Sequence, residues 1–116
     1  MLELNKVYCM DNVLGMSQLN DNIVDLTVTS PPYDNLRDYN KFSWNFNEVA
    51  KQLFRITKNG GIVVWVVNDE TRNFCETLSS FKQSIYFVEE CGFKQLDTMI
   101  YHKSNYARIS IINEIC

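Results

Sequence analysis

Glycine is scarce in this sequence, and the few glycines present are poorly spaced for holding a nucleotide. The 116 residues include only Gly15, Gly60, Gly61 and Gly92, and none of them forms a Gly-x-Gly pair. A glycine-rich turn between a strand and a helix is the common way to bring backbone close to a nucleotide. The sequence therefore contains no motif of this kind for a nucleotide-containing ligand.

Metal-binding and membrane-spanning patterns are absent as well. The four cysteines, at positions 9, 75, 91 and 116, have no Cys-x-x-Cys spacing, so we expect no zinc and no other metal site. We expect reduced thiols in the cytoplasm, with Cys9 and Cys91 buried as small apolar side chains. No apolar run is long enough to cross a membrane, and the first six residues lack the apolar core of a targeting segment.

Positive charge is also in short supply. The chain has 11 lysines and arginines against 14 aspartates and glutamates, which gives a net charge of −3. A protein that binds duplex DNA on its own usually shows a basic stripe. If DNA is the substrate, most contacts to its phosphates must come from another part of a larger enzyme or from a partner. Hydrophobic residues make up 46% of the chain, which is enough for the core of one small domain.

Strand-like and helix-like segments alternate along the chain, and this alternation predicts an α/β fold with a mainly parallel sheet. Strands are expected at residues 6–10, 23–29, 62–67 and 95–102. A first helix is expected to begin at Asp11 or Asn12. Asn45 followed three residues later by Glu48 resembles a helix-capping pattern and predicts the start of a second helix.

A third helix is expected to begin at Ser80 and to end at Gly92. Its helical spacing predicts that Phe81, Ile85 and Val88 face the core. The result would be a partial sheet of about four strands with about three helices.

The chain has two prolines, and they are adjacent. Pro31 and Pro32 lie in the segment Thr-Ser-Pro-Pro-Tyr at residues 29–33, directly after the apolar run that predicts the second strand. Proline has no N–H, and the residue before proline is held extended, so Ser30 and Pro31 form a stiff corner. Ligands of open α/β sheets bind beyond the carboxyl ends of the strands, which is where this corner would lie.

The corner offers two hydrogen-bond acceptors, the Ser30 hydroxyl and the Pro31 carbonyl, with few donors nearby. Such a pair suits an exocyclic amino group of a nucleobase, whose nitrogen it could polarise for attack on a methyl sulfonium. Tyr33 offers a flat face on which an extruded base could stack. The alternative is ordinary loop punctuation, with Tyr33 simply covering the core. Polyproline recognition is a weaker rival because no P-x-x-P occurs.

A family resemblance strengthens the first interpretation. The segment VDLTVTSPPYDNLRDY at residues 24–39 closely resembles the catalytic segment of amino-group DNA methyltransferases, which make N4-methylcytosine or N6-methyladenine. Residues 44–53, 58–67, 81–93 and 97–101 resemble the helices and strands that follow in that family. Upstream, Met10-Asp11 resembles the family's acidic residue that hydrogen-bonds the adenine of S-adenosylmethionine.

The resemblance implies a class I, Rossmann-like methyltransferase fold and an S-adenosyl-L-methionine donor. It implies catalytic roles for Ser30, Pro31, Pro32 and Tyr33. It implies donor binding by Asp11 and Ser30, although Asp11 could equally be a helix cap. The residues that would border the base or contact DNA are Asn35, Arg37 and Tyr39. In this family, a serine at position 30 favours the N4 atom of cytosine as the methylated atom.

The resemblance covers residues 1–104, and residues 105–116 are expected to be a divergent tail. In the subgroup whose catalytic loop comes first, a Phe-x-Gly-x-Gly donor motif comes near the C-terminus, and this sequence has none. We therefore expect the catalytic N-terminal portion of a site-specific DNA methyltransferase. The alternative is a truncated, inactive remnant or an interaction subunit that needs a second chain. A half-sheet exposes an edge and apolar surface, which predicts a homo-oligomer or association with a complementary chain.

Overall fold

Two parallel strands and the helix that connects them organise the fold. The computed structural model describes residues 1–31, 45–102 and 109–115, with the backbone alone for residues 109–114. Strand β1 (Val24–Thr29) pairs in parallel with β2 (Thr57–Val67), and helix α2 (Phe46–Ile56) precedes β2. Because the strands are parallel, both carboxyl ends lie at the same edge of the sheet.

Two further strands complete a four-stranded sheet in the order β1-β2-β6-β5. Strand β5 (Gln95–His102) and strand β6 (Ile109–Ile115) form an antiparallel pair, and β6 is also antiparallel to β2. The α/β fold class is confirmed, but its parallel part is narrower than expected. The connection between β5 and β6 is too short for a crossover, so β6 must return antiparallel. β6 lies within residues 105–116, and the division at residue 104 stays a prediction.

Helix α2 covers one face of this sheet. The Asn45 side chain accepts hydrogen bonds from the backbone N–H groups of Asn47 at 3.0 Å and Glu48 at 3.4 Å, so the predicted start of the helix is confirmed. The helix buries four residues at helical spacing, and three of them pack in one cluster with alternate residues of β2. The members from these two elements are Val49, Ala50, Leu53, Val63, Trp65 and Val67, and Ile56 is also buried.

Aromatic rings fill the centre of the core. Trp65 is 1% exposed, and its ring lies edge-on to Phe46 and Phe87 with centroid distances of 5.8 and 5.1 Å. The Trp65 Nε1–H donates to Oε1 of Gln83 at 2.9 Å, so the one polar atom of the indole is paired inside the core. Each such edge-to-face pair adds about 0.5–1.5 kcal/mol beyond area burial.

The N-terminal segment departs from the sequence-based expectation. Residues 6–10 form no strand, Val7 and Cys9 are exposed, and the prediction of a buried Cys9 is wrong. A strand needs a neighbour that accepts its backbone hydrogen bonds, and no described strand pairs with this segment. The short helix α1 (Asn12–Ser17) follows it, as predicted. Cys91 is half-buried, and burial raises the pKa of its thiol, with Lys51 lowering it and Glu90 raising it.

The third helix lies where it was predicted but turns a different face inward. Helix α3 (Ser79–Tyr86) continues as a π-helical turn, Phe87–Cys91, and Gly92 ends it with a φ of 105°. Phe81, Ile85 and Val88 are exposed, so their predicted burial is wrong.

Polar partners explain which face of α3 is buried. Ser80 and Phe87 are the buried residues, and Gln83 lies between them on the same face, where it accepts from Trp65. Ser80 is held by the carboxylate of Asp69. Because the indole and this carboxylate both need hydrogen-bond partners, α3 buries the face of Ser80, Gln83 and Phe87. This face is one residue away from the apolar stripe that was predicted to be buried.

The remaining elements form a small hairpin at the carboxyl edge, made of β3 (Thr71–Arg72) and β4 (Cys75–Glu76). No helix in the described residues is long and apolar enough to span a membrane.

We predict that Gly61→Ala destabilises the fold. Gly61 is buried, and a Cβ there would lie 2.8 Å from Thr57 Cγ2 and 3.0 Å from the carbonyl oxygens of Lys58 and Val24. Such overpacking against backbone costs roughly 1–3 kcal/mol, measurable as a lower free energy of unfolding in urea.

Gly15→Ala is the matched control. Its Cβ would meet only the flexible Met10 side chain, with Sδ at 3.3 Å, and alanine favours a helix over glycine by about 0.5–1 kcal/mol. We expect no loss of stability from this change. Equal stability of the Gly61→Ala variant and the parent chain would contradict the close approach of β1 and β2 at Gly61.

Candidate active site

The candidate site begins where β1 ends, at the corner of Ser30 and Pro31. Ser30 is exposed, directly after Thr29, and Pro31 is buried. Within residues 1–31, 45–102 and 109–115, no group donates a hydrogen bond to the Ser30 hydroxyl or to the Pro31 carbonyl. The buried Pro31 therefore anchors the corner, and neither acceptor oxygen has a hydrogen-bond donor among the described residues.

The rest of the predicted catalytic segment lies outside the described residues. This applies to Pro32, Tyr33, Asn35, Arg37 and Tyr39. Their roles stay predictions from the sequence. The described chain resumes at Asn45, the cap of α2, so the segment leaves from the end of β1 and returns to the start of that helix.

Asp11 lies at the start of α1, where it caps the helix. Its Oδ1 accepts from the backbone N–H of Leu14 at 2.9 Å, so the capping role is confirmed. A carboxylate has a second oxygen and further lone pairs, so capping leaves Asp11 able to accept from a ligand. Its role in donor binding stays a prediction.

An open depression of about 560 Å³ joins Asp11 to the start of α2. Its other lining residues are Asn12, Val13, Asn45, Phe46, Asn47 and Glu48. Sequence reasoning found Asp11 and the Asn45 cap but did not connect them, because their proximity depends on how α1 packs on α2. The only sequence signal for this site was the helix-capping pattern at Asn45, which directly follows the predicted catalytic segment.

The chemistry of this depression suits a nitrogen heterocycle or a cation better than an anion. Asp11 and Glu48 bring two carboxylates, and Phe46 brings a half-buried ring. Phosphate would be repelled by these carboxylates, whereas an adenine amino group or a sulfonium charge would be attracted. The residues present therefore fit the adenosyl part of S-adenosylmethionine. Residues 1–31, 45–102 and 109–115 hold no cluster of three metal-ligand side chains.

Asp69 lies at the same edge of the sheet, where its sequence position places it, but its structural role was not predicted. It lies two residues beyond the end of β2, where its Oδ1 accepts from the Ser80 N–H and its Oδ2 from the Ser80 hydroxyl, both at 2.7 Å. Both carboxylate oxygens are thus used to tie the start of α3 to the edge of the sheet. An aspartate just after a predicted strand signals the position, but the partner is not readable from sequence.

Comparisons with known proteins agree with the fold. Residues 24–114 match the family profile of the DNA methylases (N6_N4_Mtase). The chain is 58% identical over 87 residues to the orphan methyltransferase M.BamHII of Bacillus amyloliquefaciens, a match that covers 75% of this chain and 32% of that protein. It is 29% identical over 108 residues to the type II beta methyltransferase M.BslI of Bacillus sp., covering 80% of this chain and 12% of that protein.

Two solved structures show the same architecture. The cytosine-N4-specific PvuII DNA methyltransferase aligns with a TM-score of 0.73 at 13% identity, over 93% of this chain and 47% of its own. TTHA0409 of Thermus thermophilus, complexed with S-adenosyl-L-methionine, aligns with a TM-score of 0.69 at 24% identity, over 89% of this chain and 51% of its own. The fold is therefore that of the class I S-adenosylmethionine-dependent methyltransferases. The chain spans about a third of M.BamHII and about half of these two structures.

We predict that Asp11→Ala and Asp11→Asn separate by stability. Alanine removes the acceptor for Leu14 N–H and should lower the free energy of unfolding by about 0.5–2 kcal/mol. Asparagine keeps a capping oxygen and should stay close to the parent chain in urea unfolding. Equal loss in both variants would show that the charge of Asp11, and not its cap, supports the fold.

Proposed function

Because the chain belongs to the DNA methylase family (N6_N4_Mtase), we propose that it carries the catalytic part of a DNA amino-methyltransferase. The reaction is methyl transfer from S-adenosyl-L-methionine to the N4 amino group of cytosine or the N6 amino group of adenine. The observation that carries the proposal is the acceptor pair of Ser30 and Pro31, which lies at the carboxyl edge with no described donor. M.BamHII comes from a bacterium, whose DNA lies in the cytoplasm, and we propose the same location for this chain.

The acceptor pair would activate the amino group directly. The lone pair of this nitrogen is conjugated into the base, and hydrogen bonds from its two N–H groups to the Ser30 hydroxyl and the Pro31 carbonyl would let it pyramidalise. The nitrogen then forms a bond to the methyl carbon of the donor. The bond from that carbon to sulfur breaks, its electron pair leaves with the thioether, and the amine releases one proton to solvent. The protein supplies position and polarisation.

The base must leave the duplex to reach this corner, since its amino group is otherwise held in the stack. In this proposal Pro32 stiffens the corner and Tyr33 stacks on the extruded base. Asn35, Arg37 and Tyr39 border the base or contact the DNA. S-adenosylmethionine supplies the methyl group, and Asp11 with the depression at the start of α2 would hold its adenosyl part.

We further propose that a complementary polypeptide completes the fold. Across the parallel register, Leu26 and Val28 lie opposite Ile62 and Val64 and therefore share their face, while α2 packs on the other face. Leu26 is 58% and Val28 64% exposed, and β1 has a single neighbour among the described strands. Parallel sheets are normally covered on both faces, so this bare face and edge suit an added strand and helix. The structures that share the fold are about twice as long as this chain.

The first prediction concerns Ser30→Ala, assayed in the chain co-expressed with the part of M.BamHII that lies outside the match. Loss of one hydrogen bond to a group that develops charge should lower kcat by about 10- to 150-fold, because such a bond is worth about 1.5–3 kcal/mol. The measurement is transfer of labelled methyl to DNA, with digestion to distinguish N4-methylcytosine from N6-methyladenine.

Ser17→Ala, at an exposed serine in the last turn of α1, is the control and should leave the rate unchanged. An unchanged rate in the Ser30→Ala variant would remove the acceptor pair from the mechanism. Methylation by the 116-residue chain without any addition would show that no complement is needed.

The second prediction concerns the bare face at β1, where we propose that the complementary polypeptide binds. Leu26→Lys places a charge on the bare face at β1 and should abolish co-purification with the M.BamHII remainder, since burying an unpaired charge is costly. Ile100→Lys changes a similarly exposed residue on β5, at the far side of the sheet, and should leave co-purification intact. Loss of association in the β5 variant alone would place the partner at the opposite edge.

A further inference from the structure

The hairpin β3–β4 carries a phenylalanine in an unfavourable setting. Asn73 and Phe74 form its two-residue tip, both in the left-handed region, with φ of 49° and 64°. Turns of this kind favour Asn-Gly, because a side chain as large as phenylalanine is strained at positive φ. The Phe74 side chain is also fully exposed to solvent. Both the backbone conformation and the hydration of the ring therefore cost free energy at this one residue.

Hydrogen bonds and an ion pair nevertheless close the hairpin at its base. The backbone N–H of Thr77 donates to the Glu70 carbonyl at 2.8 Å, and the Glu70 N–H donates to the Thr77 hydroxyl at 3.2 Å. The guanidinium of Arg72 donates twice to Glu70 Oε2, at 3.0 and 2.7 Å, which neutralises that carboxylate. The Phe74 ring is thus carried by a hairpin whose base is held together by hydrogen bonds.

The hairpin also stands at the reactive edge of the sheet. It follows β2 after a short connection from Val67, and β2 ends at the same edge as β1, where Ser30 lies. The segment between β2 and the hairpin includes Asp69, which is fixed by Ser80. An exposed aromatic ring therefore projects from the edge at which the extruded base is proposed to react.

We propose that Phe74 inserts into the DNA stack beside the extruded base and fills the space that the base leaves. This inference rests on the proposed function. Apolar side chains that enter between base steps are a known way for proteins to stabilise unstacked DNA. The chain has a net charge of −3 and few cations to hold phosphates, so an uncharged stacking contact is the kind of DNA contact that this edge can offer. Strain at a functional site is expected when activity, not stability, selects the residue.

The test compares Phe74→Gly with Phe74→Tyr in the chain co-expressed with the part of M.BamHII that lies outside the match. The probe is a fluorescein-labelled duplex with a single mismatched cytosine, whose extrusion is cheap, beside the fully paired duplex. Phe74→Gly should weaken anisotropy-measured binding of the mismatched duplex by about 5- to 150-fold, the range for loss of one stacking contact. It should also raise Tm by roughly 4–8 °C, because glycine relieves the strain. Phe74→Tyr keeps an aromatic ring and should bind within about twofold of the parent chain.

Each other outcome has a separate meaning. A higher Tm with unchanged DNA affinity in Phe74→Gly would overturn the inference and leave the proposed function standing. A change in oligomeric state by light scattering with unchanged DNA affinity would assign Phe74 to a protein contact and also overturn it. Failure of the co-expressed assembly with the parent chain to bind either duplex would overturn both this inference and the proposed DNA substrate.

Discussion

The parallel pairing of β1 with β2 is the constraint on which the rest of the structure depends. The register sets Thr29 opposite Trp65 and Val28 opposite Val64. It therefore decides which side chains of β1 share the core face of β2 and which lie on the bare face. A slip of one residue would turn every side chain of β1 to the other face. The same pairing aligns the two carboxyl ends, so Ser30 and the residues after Val67 share one edge.

Helix α2 couples this pairing to the candidate site. Its buried residues pack on β2, and its capped start carries Asn45 to the depression that also contains Asp11. Packing that stabilises the core thus also fixes the distance between the proposed donor site and the corner at Ser30. All of this packing lies on one side of the sheet. The exposed Leu26 and Val28 on the other side follow from the same register, and they form the bare face on which we propose that a complementary polypeptide packs.

Local signals predicted the elements whose determinants are local. The apolar runs of β1 and β2, the cap at Asn45 and the stop at Gly92 are each encoded within a few residues, and the structure confirms them. The prediction of a strand at residues 6–10 is wrong because a strand needs a neighbouring strand for its backbone hydrogen bonds. The prediction of the buried face of α3 is wrong because Gln83 and Ser80 form hydrogen bonds with Trp65 and Asp69, which are distant in sequence. β6 was overlooked although its isoleucines are typical of a strand.

The candidate site also has parts that local sequence predicts and parts that depend on contacts between distant segments. The position of Ser30 and Pro31 beyond a strand could be predicted because a single segment encodes both the strand and the corner. The depression beside Asp11 could not, since it forms only where α1 and the start of α2 meet. The strained tip at Phe74 breaks a local turn preference, and sites that break local rules are where sequence-based reasoning is expected to fail for functional reasons.

Cross-strand nuclear Overhauser effects in the isotope-labelled chain test the central claim most directly. The parallel register predicts contacts between backbone protons of Thr27 and Val63 and of Val28 and Val64, in the pattern of parallel strands. Contacts displaced by one residue would turn Leu26 and Val28 towards the core, and an antiparallel pattern would move Ser30 away from the shared edge. Either result would contradict the parallel register.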